Sequence, residues 1–253
     1  GPMLYVGYTS FDYIDAGDYR AFELAEPHAG EPYEVPLDGA EAERAERLVE
    51  EHLVVSLHEH TSYLPRDVDR RADYVREGRV VTPYDRLAES PLDAALVSLM
   101  GCRTWDETIH NLGMRRSDIA HQEFDTVIEG LEDLRALREE GRFGDVLGVE
   151  TSMPIENDLD RLDVLYGFGL RTIGLTYSES NALGTGLADQ HRDGGLTRFG
   201  ERAVERMNKL GLLIDASHAS DRTTLDACEA SDEPIVLSHN GARALLPIDR
   251  LDP

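Results

Sequence analysis

Lysine is nearly absent from this 253-residue chain: Lys209 is the only one, while acidic residues number 50 and the formal charge is −25. A field of that sign repels phosphate backbones and anionic membrane surfaces, which argues against nucleic acid and membrane partners. Acidic, lysine-poor surfaces suit concentrated salt, where carboxylates stay hydrated and their repulsion is screened. The composition therefore points to a halophile, an expectation that a melting temperature indifferent to salt would remove. Cysteine is scarce too. Cys102 and Cys228 are too few and too isolated for a disulfide framework or a thiolate zinc site, and the cytoplasm is the simplest compartment. No apolar run approaches the roughly 20 residues of a membrane span, and the Gly1-Pro2-Met3 start lacks the form of a signal peptide. There is no Gly-x-Gly-x-x-Gly after the first strand and no Gly-x-Ser-x-Gly elbow, which counts against a dinucleotide fold and a serine hydrolase.

What is present is a repeated alternation of apolar runs and helical periods, with enough apolar content, 41%, for one large core. Residues 1–50 read as an irregular prelude and a first helix starting near Glu41, packed outside a barrel formed by residues 51–253. Strand-like runs fall at Leu53–His60, read as a buried strand, and at Asp93–Met100, Asp145–Thr151, Thr172–Tyr177, Leu212–Ser217 and Pro234–Ser238. Helices are expected near His121–Glu140, Asp158–Phe168, Thr197–Leu210 and Asp221–Ser231, with Gly141, Gly169 and Gly211 as stops and Asp221 as a cap. Thr61–Pro91 reads as a long polar excursion over the surface. The alternation predicts an α/β fold with parallel strands and outer helices: a (β/α)8 barrel of which this chain supplies about six units, rather than an open doubly wound sheet.

In such barrels the chemistry gathers at the carboxyl ends of the strands. His58 and His60 end the first run, and their spacing of two turns both toward one spot. Glu150 follows apolar residues, where a lone carboxylate is costly to bury unless paired or bound to metal. His218 and His239 follow the last two runs. Four imidazoles and one carboxylate on one face make a two-metal site.

The motifs Gly169-Leu170-Arg171-Thr172-Ile173-Gly174-Leu175-Thr176-Tyr177, Gly195-Leu196-Thr197-Arg198-Phe199-Gly200, Arg206-Met207-Asn208-Lys209-Leu210-Gly211, Ile214-Asp215-Ala216-Ser217-His218 and Ser238-His239 resemble the membrane (renal) dipeptidase family of the amidohydrolase superfamily, over roughly residues 50–253. The resemblance implies two zinc ions bound by His58, His60, Glu150, His218 and His239, with Glu150 bridging. It also implies that Arg250 grips the substrate carboxylate and that the amide of a dipeptide or related small acid is cleaved by a hydroxide held between the metals. The family's usual His-x-Asp pair is His58-x-His60 here. Tyr177 stands where the family has a substrate-contacting histidine, and a phenol there can bind substrate and polarise its carbonyl. The family's last two strands and their general-acid aspartate lie beyond Pro253, so a separate C-terminal fragment completing the barrel is expected, with self-association as the other remedy for open strands. Lactone or ester hydrolysis, or a catalytically silent metal-binding protein, are the alternatives.

Overall fold

The computed structural model describes residues 10–25, 35–242 and 245, so the run at Leu4–Val6 and Arg250 lie outside the described residues. The chain forms two compact units. The first comprises Gly1–Ser56, His60–Ala95 and Arg116–Asp145, and the second Leu57–Glu59, Leu96–Arg115 and Val146–Pro253. In chain order the elements are α1 (Gly39–Glu51), β1 (Val55–Glu59), α2 (Arg71–Glu77), α3 (Tyr84–Glu89), β2 (Ala94–Ser98), α4 (Trp105–Ala120), β3 (Asp125–Val127), α5 (Leu131–Glu140), β4 (Phe143–Val149), α6 (Asp160–Gly167), β5 (Thr172–Gly174), α7 (Arg198–Leu210), β6 (Leu213–Asp215) and α8 (Asp221–Ala230).

The six strands make one sheet in the order β1-β2-β4-β5-β6, with β3 also paired to β4. β3, β4, β5 and β6 are parallel where their registers are defined. Among the described residues no helix is long and apolar enough to cross a membrane.

In the first unit, α1 starts on a reciprocal cap: Asp38 accepts from the amides of Ala40 and Glu41, and Glu41 accepts from the Asp38 amide at 3.0 Å. Its far end is held by Arg138 of α5, which donates to the carbonyls of Val49, Glu50 and His52 and forks onto Asp93 at 3.1 and 2.9 Å. The core of this unit includes aromatic side chains, with Tyr74, Tyr84, Phe124 and Phe143 buried. Asp118 is fully buried and its charge is met by Ser10 Oγ at 2.6 Å, the Phe11 amide at 2.7 Å and Tyr84 Oη at 2.9 Å.

The second unit carries the repeating part of the fold. Gly148 and Val149 lie opposite Thr172 and Ile173, which in turn lie opposite Leu213 and Ile214, and Gly174 lies opposite Asp215. This register brings the carboxyl ends of β4, β5 and β6 level. Beyond β6, Val236 makes a single parallel bridge to Asp215. Its amide donates to the Ile214 carbonyl, and its carbonyl accepts from the Ala216 amide, both at 2.9 Å. α7 buries Gly200, Ala203, Val204 and Met207, one stripe at helical spacing, and packs on α6, α8 and β6. Arg206 of α7 reaches Asp160 and Asp163 of α6 at 2.9 and 2.8 Å.

Several expectations change. The helix expected over His121–Glu140 is β3 followed by the shorter α5, with α4 already ended at Ala120: Thr126, Val127 and Ile128 are a β-branched run, and Gly130 starts α5 in extended backbone. α8 is capped by Ser220, whose hydroxyl accepts from the Thr223 amide at 3.1 Å, and Asp221 sits in the first turn instead. β1 is not a buried strand, since it ends the sheet order and Leu57 is 48% exposed. The excursion Thr61–Pro91 contains α2 and α3. The last apolar run, Pro234–Ser238, contributes the bridge at Val236 rather than a full strand.

Candidate metal centre

Four of the side chains expected at the strand ends meet in the second unit. His58 is the next-to-last residue of β1, Glu150 follows β4 directly, His218 comes three residues after β6, and His239 comes three after the Val236 bridge. The Glu150 side chain is only 13% exposed, and its two oxygens face different imidazoles. Oε1 lies 3.3 Å from His58 Nε2, and Oε2 lies 3.8 Å from His218 Nε2. His218 Nε2 is in turn 2.8 Å from His239 Nε2. The rings pack accordingly: His58 stacks on His239 at 3.8 Å between centroids, and His218 meets His239 edge-on at 4.8 Å. Glu150, His218 and His239 can each offer one ligand atom, all within 4.8 Å of one another.

The donor set fits a divalent ion. Two imidazole nitrogens on one tetrahedral zinc, each bonded at about 2.0–2.1 Å, lie about 3.3 Å apart, so the His218–His239 separation needs only a few tenths of an ångström of adjustment. A carboxylate whose oxygens address separate nitrogen sets is the arrangement that bridges two ions. Nitrogen and oxygen donors without thiolate suit zinc and the harder divalent metals alike.

The backbone is bent to make this arrangement. His218 has φ of +64°, in the left-handed region that non-glycine residues occupy at a cost of about 1–3 kcal/mol. Its carbonyl accepts from the Leu187 amide at 2.8 Å and from Thr176 Oγ1 at 3.4 Å. The next residue closes a turn, with the Ala219 amide donating to the Ala216 carbonyl at 3.1 Å. The surrounding hydrogen bonds thus hold a strained conformer that points an imidazole at Glu150.

Tyr177 also reaches the cluster, and its ring stacks on His218 at 4.4 Å. Arg103 lies over the Tyr177 ring at 5.4 Å and pairs with Glu179 at 3.3 Å. His60 is exposed, one residue past β1, and belongs to the first unit. Arg250 lies outside the described residues. Sequence reasoning passed over Arg103 and the polar residues behind His239, namely Asp215, Ser217 and Ser238. The signal for Asp215 was available: it is the acidic residue that ends the apolar run from Leu212.

The family model of the membrane dipeptidases, peptidase family M19, matches residues 42–251. This chain belongs to the membrane dipeptidase family. Human dipeptidase 3 is 30% identical over 178 residues, covering 65% of this chain and 35% of that protein, and mouse dipeptidase 3 matches to the same extent. The chain thus spans about a third of the length of these curated relatives. Among solved structures, the probable dipeptidase PvdM from Pseudomonas aeruginosa superposes with a TM-score of 0.63 at 24% identity, over 80% of this chain and 56% of its own. A metallo peptidase from Rhodobacter sphaeroides, liganded with a phosphinate mimic of the dipeptide L-Ala-D-Ala, superposes with a TM-score of 0.60 at 20% identity, over 77% of this chain and 67% of its own. At these identities the likeness shows the fold: a parallel α/β half-barrel corresponding to part of the family's barrel.

Proposed function

We propose that this chain carries the metal centre of a zinc-dependent dipeptidase that hydrolyses the amide of dipeptides or related small carboxylate-bearing amides. The observation that supports this most is Glu150, facing His58 Nε2 with one oxygen and His218 Nε2 with the other. His58, His60 and Glu150 would hold one ion, and Glu150, His218 and His239 the second. Bound divalent metal polarises a carbonyl oxygen and lowers the pKa of water toward neutrality.

The remaining roles belong to the chain's own side chains. Glu150 keeps the imidazole pairs in register and supplies negative charge between them. Tyr177, stacked on His218, can donate its phenolic proton as a hydrogen bond to the substrate carbonyl as charge builds on that oxygen. Arg250 presents a planar fork that matches a substrate carboxylate, a role that rests on the family resemblance. The dipeptide mimic in the Rhodobacter sphaeroides structure supports a substrate of that size.

A turnover panel on the zinc-loaded protein tests the reading, comparing L,L- and L,D-dipeptides with lactones and simple esters. Dipeptide cleavage is expected to dominate. Lactone turnover without dipeptide turnover would replace the reading with ester chemistry on the same centre, and turnover of neither class would leave a metal-binding protein.

A further inference from the structure

Behind His239 lies a short chain of hydrogen bonds that the hydrolytic roles above do not use. Asp215 ends β6 and is buried to 8% exposure. Its Oδ1 accepts from two backbone amides, Ser217 at 2.8 Å and Ser238 at 3.3 Å. Its Oδ2 accepts from Ser238 Oγ. The Ser238 hydroxyl also lies 2.8 Å from His239 Nδ1 and 3.3 Å from Ser217 Oγ, and Ser217 Oγ accepts from the His239 amide at 3.2 Å.

Proton counting gives this chain a direction. A hydroxyl has one hydrogen and two lone pairs, and an ionised carboxylate can only accept. The Ser238 proton therefore goes to Asp215, and toward His239 the hydroxyl presents a lone pair. His239 must then carry its proton on Nδ1, which leaves Nε2 as the bare nitrogen. That Nε2 is the atom 2.8 Å from His218 Nε2.

We infer that Asp215, acting through Ser238, fixes His239 in the Nδ1–H tautomer and so sets its Nε2 lone pair toward the metal. Asp215 and Ser238 are positioning residues, because they act through the imidazole of His239. The inference rests on the proposed metal role of His239, but the tautomer itself does not.

The orientation of Asp215 makes one variant especially informative. Because Oδ1 takes two backbone N–H donors, the amide introduced by Asp215→Asn must keep its carbonyl there and turn its NH2 group to Ser238. Ser238 then accepts from that amide and donates to His239 Nδ1, which moves the imidazole proton to Nε2 and blocks the ligand atom. Ser238→Ala removes the relay without reversing it, and Ser238→Thr preserves the hydroxyl.

The test is nitrogen-15 NMR of the histidine side chains in metal-free protein, at a pH where imidazole is neutral, alongside a zinc-affinity measurement on the same proteins. The His239 resonance, assigned by its loss in His239→Gln, is expected to show Nδ1 protonated in the wild type and Nε2 protonated in Asp215→Asn. Zinc affinity should fall about 10–100-fold in Asp215→Asn and in Ser238→Ala, the usual effect of losing a partner behind a ligand, and return in Ser238→Thr. Wild-type His239 protonated on Nε2 would overturn the inference, as would an unchanged tautomer in Asp215→Asn. If the tautomers behave as expected but no variant or wild type binds zinc, the relay stands and the metal reading of His239 fails.

Discussion

A carboxylate that is only 13% exposed must have its charge met, because desolvating it alone costs several kcal/mol. At Glu150 two imidazoles stand on two sides, at 3.3 and 3.8 Å. Protonated rings would satisfy it as ion pairs and metal would satisfy it as a ligand, and the two cases separate on substitution. Glu150→Gln keeps the size and removes the charge. In the metalled case both bound zinc and dipeptide turnover should fall, by more than the roughly 10–100-fold typical of a supporting partner. Metal analysis and turnover on one preparation check this, and undiminished values for both would remove Glu150 from the centre. The φ of +64° at His218 belongs to the same argument, since strain held in place by the surrounding structure is a mark of a residue kept for its chemistry.

At the scale of elements, the close approach of β4 and β5 aims Glu150. Gly174 faces the backbone of Glu150 so tightly that an added Cβ would stand 2.1 Å from the Glu150 carbonyl oxygen. Gly174→Ala must therefore push the two strand ends apart. The expected result is overpacking of about 1–3 kcal/mol in a thermal melt, together with weaker zinc binding. An unchanged melt with unchanged affinity would show that the strand ends have slack. How much of this was legible in the sequence follows from burial. His58, Glu150, His218 and His239 stood out because each is a polar residue closing an apolar run, and the structure brings those four together. α4 escaped notice because its hidden face includes Thr108, Arg115 and Asp118, all buried, so its apolar period is broken. β3 is three residues long and Val127 falls in step with Leu131 and Leu134, which let a helical period run through it. Asp215 and Ser238 were visible as residues, but their link to His239 depends on the parallel bridge at Val236, a contact that no local spacing encodes.

At the scale of the whole molecule, the charge of −25 is not offset by its ion pairs. Pairs such as Arg20–Glu77, at 46% and 47% exposure, and Arg135–Glu132, at 61% and 84%, are the exposed kind that contribute little. A net negative field of that size would favour a dication over an anion at a binding centre. The central claim is that these strand ends form a two-ion centre, and the most direct measurement is metal stoichiometry. Chain stripped with a chelator, dialysed against zinc and weighed intact under native conditions should hold two ions per chain. No bound zinc, or equal binding when His218 and His239 are both replaced by alanine, would contradict the account.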